Sequence, residues 1–172
     1  IPQLGTMQNP IAPFSALPLE DSPQRHKIRA EVYLKSRFVQ GPLPLSTRPV
    51  TKPKRIRIGY FSSDFQNHPV MFALMGILEN HNSDKFEIYA YSFGPEINDE
   101  MRQRIVNSVK VFNNVRDLTD KDVALLARKQ KIDIAVDLTG YTKNSRTGIF
   151  AYRAAPIQVN YLGYPGTMGA NF

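Results

Sequence analysis

The chain has no cysteine. That excludes disulfides, a thiolate metal site and a cysteine nucleophile. Its three histidines, His26, His68 and His81, are scattered, and no His-Glu-x-x-His occurs, so nothing points to a metal. No apolar run approaches the ~20 residues of a membrane span, and no basic-plus-apolar export segment opens the chain. Together with the missing cysteines, this places the protein in the cytoplasm as an expectation. No serine sits in a Gly-x-Ser-x-Gly elbow, and no Gly-Lys-Ser/Thr completes a Walker loop. The dinucleotide fingerprint is also absent, because Ser62 and Ser63 stand where its glycines would follow the first strand.

What is present is ordinary globular material. The chain has 172 residues, 42% of them hydrophobic, enough for one good core with an appendage. The net charge of +7 is uneven. Residues 1–60 hold ten Lys/Arg against three Asp/Glu, and the remainder holds twelve of each. Such a basic face suits nucleic acid, an acidic protein or another part of a larger polypeptide. It lacks aromatic interleaving and any recognition signature, so nucleic acid is not the expected partner. A solvated helix and linker account for the charge equally well.

Residues 1–20 hold four prolines and read as extended. Ser22-Pro23 starts a helix to about Phe38, with a partial apolar stripe through Ile28, Val32 and Leu34. Residues 41–54, with four more prolines, read as a linker. An α/β pattern then begins. Strands are expected at Arg55–Phe61, Phe86–Phe93, Lys110–Asn113, Ile132–Leu138 and Ile157–Leu162. Helices are expected from Pro69, over Asn98–Val106, from the capping box Thr119-Asp120-Lys121-Asp122 to about Gln130, and around Thr147–Arg153. Alternating strands and helices predict a Rossmann-like parallel sheet with right-handed crossovers and flanking helices. The pattern stops at Phe172, just after a strand and its loop, so a larger polypeptide is expected.

Three turns carry the candidate chemistry. Asn67-His68-Pro69 lies between the first strand and its helix, where open α/β sheets hold ligands. The helix dipole disfavours positive charge there, and a neutral imidazole can accept a proton or donate to a sugar hydroxyl or phosphate. Asn67 or His68 caps the helix; Ser63 and Asp64 can orient His68 or simply solvate the loop. The second turn is Asp137-Leu138-Thr139-Gly140-Tyr141-Thr142-Lys143-Asn144-Ser145-Arg146, rich in hydroxyls and with two cations. Its Asp137 can bind a hydroxyl or cap the turn, and Lys143 and Arg146 can bind a ligand or be solvated. The third is Gly163–Gly169, whose glycines allow close backbone approach to an oxyanion or a sugar. A plain turn is the alternative. His81 reads as a surface residue or a partner of the helix C-terminus.

Taken in order, Ile58-Gly59-Tyr60 with Ser62-Ser63-Asp64-Phe65, Asn67-His68-Pro69-Val70, Tyr91-Ser92-Phe93-Gly94, Asp137 to Lys143, Pro156-Ile157-Gln158-Val159 and Leu162-Gly163-Tyr164-Pro165-Gly166-Thr167 resemble the N-terminal catalytic lobe of the O-linked N-acetylglucosamine transferase family. The bacterial members with tetratricopeptide repeats are the most similar, and Asn9–Phe38 resembles the stretch joining repeats to lobe. The resemblance implies a two-lobed GT-B glycosyltransferase, with 1–53 joining upstream repeats and 54–172 forming the first lobe. It implies transfer of N-acetylglucosamine, or a related hexose, from a UDP-sugar to serine or threonine hydroxyls of a protein or peptide acceptor, without a further cofactor.

In that family the second lobe makes most uridine and diphosphate contacts, while the first faces sugar and acceptor. The resemblance makes His68 the active-site histidine, with Asp137 as the second catalytic candidate. Asn67, Tyr141, Thr142, Lys143, Tyr164, Pro165, Gly166 and Thr167 become substrate-contacting candidates. Some members carry a second histidine where this chain has Phe72, a difference that bears on the acceptor side and that packing alone would also explain. The lobe without its missing C-terminal partner is expected to be inactive. A non-catalytic Rossmann-like or receiver-like binding module, and a UDP-sugar hydrolase or epimerase of the same build, remain the alternatives.

Overall fold

A computed structural model describes residues 3–7, 9–38 and 53–172; the expected linker lies almost wholly outside them. The described chain runs α1 (Pro13–Ala16), a 3-10 turn (Leu17–Leu19), α2 (Pro23–Arg37), β1 (Ile56–Ser62), α3 (Pro69–Glu79), β2 (Phe86–Ser92), α4 (Glu100–Ser108), β3 (Val111–Asn114), α5 (Asp120–Lys129), β4 (Ile134–Asp137), α6 (Gly148–Ala151) and β5 (Ile157–Asn160). Every strand pairing is parallel, in the order β3-β2-β1-β4-β5. This is the α/β sheet the alternation predicts. Among the described residues no helix is long and apolar enough to cross a membrane.

The sheet is buried on both faces, as parallel sheets must be when helices supply the crossovers. Alternate residues of β1 and β2 sort into two cores. Ile58, Tyr60, Ile88 and Ala90 meet Met71, Leu74 and Leu78 of α3 and Met101 and Ile105 of α4. Phe61, Tyr89, Tyr91 and Phe93 meet Val123, Ala124 and Ala127 of α5 and Ile149 and Phe150 of α6. The Phe61 and Tyr91 rings stack with centroids 4.3 Å apart, over Gly59, where a Cβ would lie 2.9 Å from the Tyr91 ring. Helices on opposite faces, either side of the β1–β4 junction, make the sheet doubly wound.

The helix ends follow local chemistry. Thr119 accepts the Asp122 amide, as its capping box predicts. Asp99 caps α4 through the Arg102 amide. Ser22 occupies the cap position of α2, but its hydroxyl bonds nothing in the first turn.

Two N-terminal expectations are corrected. Residues 13–19 are helical, not extended: Pro13 and Leu17-Pro18 sit in first turns, where proline's missing N–H costs nothing. In α2 the buried residues are Arg29, Ala30 and Leu34, while Ile28 is exposed. Arg29 is buried because it pairs with Glu20, and its Nε donates to the Leu4 carbonyl at 2.6 Å. Part of the basic excess is therefore internal tether rather than open face.

At the N-terminal ends of the strands, buried Glu87 pairs with Lys110, Arg57 and Arg55. Lys110 first, then the two arginines, hold its carboxyl down to about 2 despite burial. The folded value lies below the ordinary 4.5. The stability it contributes is therefore complete above that value and is lost as pH falls toward about 2. Glu87→Gln should cost about 2 kcal/mol near neutrality and flatten the acid limb of a urea-midpoint-against-pH curve. An unchanged acid limb would contradict this role.

Candidate functional site

The strand order reverses between β1 and β4, and open α/β sheets hold ligands at the C-terminal ends of strands flanking such a reversal. The loops after β1, β4 and β5 carry all three candidate turns, so topology puts them on one rim. Direct contacts join them. The Ser63 amide donates to Thr139 Oγ at 3.4 Å, linking the first loop to the second. Gly163 lies so close to Leu138 that a Cβ there would fall 1.8 Å from the Leu138 carbonyl oxygen. Gly140, at φ 54°, would meet the Tyr164 Cβ at 2.4 Å. Side chains at either glycine would push the second and third loops apart.

His68, not Asn67, is the cap residue of α3. Its Nδ1 accepts the Val70 amide at 3.3 Å, where a serine or aspartate oxygen usually stands. A neutral ring accepting at Nδ1 carries its hydrogen on Nε2. That nitrogen lies 4.0 Å from Asp64 Oδ1, and the side chain is 37% exposed. The ring therefore presents an N–H to the rim. Asn67 uses its amide, which donates to Asp99 Oδ2 at 2.6 Å. Phe72, one turn on, is 64% exposed, so packing does not explain it.

Asp137 is 5% exposed, and its Oδ1 accepts the Thr139 and Gly140 amides at 2.9 and 3.0 Å. Burial pushes its carboxyl up, against the pull of those two amides. The carboxylate closes the turn after β4. It also borders a cavity of about 40 Å³ shared with Thr147, Gln158 and Asn160.

The tyrosines of the candidate list are buried as well. Tyr141 and Tyr164 are each 4% exposed and meet edge to face at 5.5 Å. Desolvation raises both phenols, Tyr164 to about 12. Tyr141 stays a donor, to the Met168 carbonyl at 2.8 Å. Thr142 Oγ donates to the Thr139 carbonyl at 2.8 Å. Lys143, Pro165 and Thr167 are exposed, and no ion pair among the described residues includes Lys143. Gly166 is half-buried against the Tyr164 hydroxyl.

Arg146 is neither a ligand-binding nor a solvated cation. Its Nε donates to Asp120 at 2.7 Å, and its other nitrogens donate to the Val115 and Leu118 carbonyls. His81 is half-buried: its Nε2 lies 2.9 Å from the Tyr60 hydroxyl, and burial pushes its pKa down. Among the described residues no group of three acidic, histidine or cysteine side chains is placed to hold a metal.

One contributor escaped the sequence reading. Helix α2 braces the rim: Tyr33 meets Tyr141 edge to face at 5.2 Å, and buried Ala30 packs with Tyr141 and Tyr164. The Phe14 ring lies 6.4 Å from Tyr164.

The family model for glycosyl transferase family 41 matches residues 35–172, which contain the sheet and all three loops. The chain belongs to that family. It is 40% identical over 137 residues to the probable UDP-N-acetylglucosamine–peptide N-acetylglucosaminyltransferase SEC of Arabidopsis thaliana, covering 76% of this chain and 14% of that protein. It is 36% identical over 124 residues to the UDP-N-acetylglucosamine–peptide N-acetylglucosaminyltransferase of Caenorhabditis elegans, covering 72% of this chain and 11% of that protein. A solved mutant O-GlcNAc transferase of Thermobaculum terrenum superposes with a TM-score of 0.79 at 33% identity, over 91% of this chain and 29% of that one. The fold is that of a family 41 N-terminal Rossmann-like lobe, and the chain spans a small part of its relatives' length.

The Asp137 geometry makes a specific prediction. Its folded value lies above the ordinary 3.8, so its charged form costs stability that appears as pH rises through and beyond that value. Asp137→Asn keeps an oxygen for both amides. The variant should match the parent near about pH 3 and melt higher near about pH 8. A lower melting temperature at the higher pH would show that the charge stabilises the turn.

Proposed function

We propose that this lobe is the sugar- and acceptor-facing half of an enzyme that moves N-acetylglucosamine from UDP to protein serine or threonine hydroxyls. A second Rossmann-like lobe would complete it, and helical repeats would precede it. The observation that carries this is the partly exposed His68 imidazole, its Nδ1 engaged by the Val70 amide, on the same rim as the linked Thr139–Lys143 and Gly163–Thr167 loops. The relatives' names supply the donor and the acceptor class.

In the transfer, the acceptor oxygen bonds to the anomeric carbon and the bond to UDP breaks, its electron pair going to the diphosphate. The hydroxyl proton passes to a phosphate oxygen of the leaving group. His68 donates its Nε2–H to a sugar or phosphate oxygen and so holds the donor in line. Acting as a base at Nε2 would require the hydrogen on Nδ1, opposed by the Val70 amide. Exposed Lys143, Pro165 and Thr167 contact substrate. Tyr141, Thr142 and Tyr164 shape the loops that make those contacts, and Asp137 holds the turn. The second lobe supplies most of the positive or N–H-rich surroundings that the departing diphosphate needs.

Labelled UDP-N-acetylglucosamine tests this. The lobe alone should transfer nothing. The intact two-lobed protein should label a protein acceptor, and His68→Ala in it should lower kcat by about 100-fold or more. Full activity in His68→Ala would remove the histidine's role. Free sugar without labelled protein would make the enzyme a hydrolase.

A further inference from the structure

The loop that carries His68 is short, and it matters what fixes it. Inside the loop, the Asp64 amide donates to Ser62 Oγ at 2.9 Å and the Gln66 amide to the Asp64 carbonyl at 2.7 Å. Phe65 is buried and meets Phe112 edge to face at 5.8 Å. These bonds set the shape of residues 62–66. The step into His68 is held from elsewhere. Asp99 Oδ2 accepts the Asn67 amide at 2.6 Å, and Arg102 Nη1 reaches the Phe65 carbonyl at 3.4 Å and Ser92 Oγ at 3.3 Å. Arg102 is buried, with its guanidinium 4.7 Å above the Phe112 ring.

Both residues open α4, the helix that follows β2. Asp99 divides its carboxylate between two tasks. Oδ1 accepts the Arg102 amide at 2.8 Å and caps α4, while Oδ2 reaches across to the loop. The Asn67 amide is the first of the causes that hold its carboxyl below the usual range, so the bond to the loop engages the charged form.

We propose that Asp99, with Arg102 beside it, is a positioning residue for transfer, holding the His68 imidazole on the rim from the start of α4. This rests on the role given to His68 above. A carboxylate is needed because two amides arrive from different elements. Serine or asparagine caps a helix as well as aspartate does, but neither offers a second acceptor oxygen to the loop. Arg102 completes the clamp from the carbonyl side, so the peptides on both sides of Gln66 are tied to one helix terminus.

Asp99→Asn separates the two tasks. Asparagine has one acceptor oxygen, which keeps the cap and leaves the Asn67 amide without its partner. In the intact two-lobed protein, assayed with UDP-N-acetylglucosamine and a protein acceptor, Asp99→Asn should lower kcat about tenfold. KM for the UDP-sugar and the melting temperature should stay close to the parent's. In the His68→Ala background the same change should cost no further activity. Parental kcat in Asp99→Asn, with His68→Ala inactive, overturns the positioning role and leaves the His68 reading standing. A full tenfold loss in the His68→Ala background overturns it as well, because Asp99 would then act by another route. An active His68→Ala protein fails the underlying reading instead.

Discussion

The parallel pairing of β1 with β4 is the constraint on which the site depends. β1 is hydrogen-bonded on both sides, to β2 from Ile56 to Ser62 and to β4 from Ile58 to Phe61. Chain connections run away from this junction in both directions, with α3 and α4 on one face and α5 and α6 on the other. The loops leaving β1 and β4 therefore emerge side by side, with no helix of their own between them. Ser63 and Thr139 touch because of this, and β5 adds the third loop at the same edge. The cationic cluster around Glu87 sits at the other end of the strands, where it stabilises the sheet without sharing the rim.

The loops on the rim are fixed by different means. Those after β4 and β5 are locked from beneath. Asp137 gathers two amides, Gly163 and Gly140 let backbones close on each other, and the two buried tyrosines fill the space below. Helix α2 closes that cluster with Ala30 and Tyr33. The loop after β1 rests at its start on buried Ser62, Ser63 and Phe65, and only its later part lacks such a foundation. That part is held from the side, by the first turn of α4. The outward result is a surface of exposed groups, His68, Lys143, Pro165 and Thr167, standing on a layer of buried ones.

Sequence logic captured the sheet because strand signals in a doubly wound fold are local. β-branched and aromatic runs, a capping threonine at 119 and a proline at 69 each mark a boundary without knowledge of distant residues. It also put the three polar turns together, since parallel connectivity forces them to one edge. It could not separate residues that meet a ligand from residues that build the loop. Asp137 and Arg146 both have the chemistry of ligands, yet Asp137 Oδ1 holds the turn after β4 and the Arg146 guanidinium is taken up by Asp120 and two carbonyls. Arg146 finds Asp120 26 residues away, and Asn67 finds Asp99 32 residues away. Such pairings follow from packing, which no local pattern encodes. The proline-rich opening misled for the opposite reason: proline breaks a helix interior but favours its first turn, and the two short helical turns here carry one at the first or second position, Pro13 and Pro18.

A crystal structure of the intact two-lobed protein with UDP-N-acetylglucosamine bound between the lobes tests the central claim most directly. The claim requires the sugar to lie over the C-terminal ends of β1 and β4, with an oxygen of the donor within hydrogen-bond reach of His68 Nε2 and the Thr139–Lys143 and Gly163–Thr167 loops beside it. A sugar seated away from this rim, with His68 facing solvent, would contradict it.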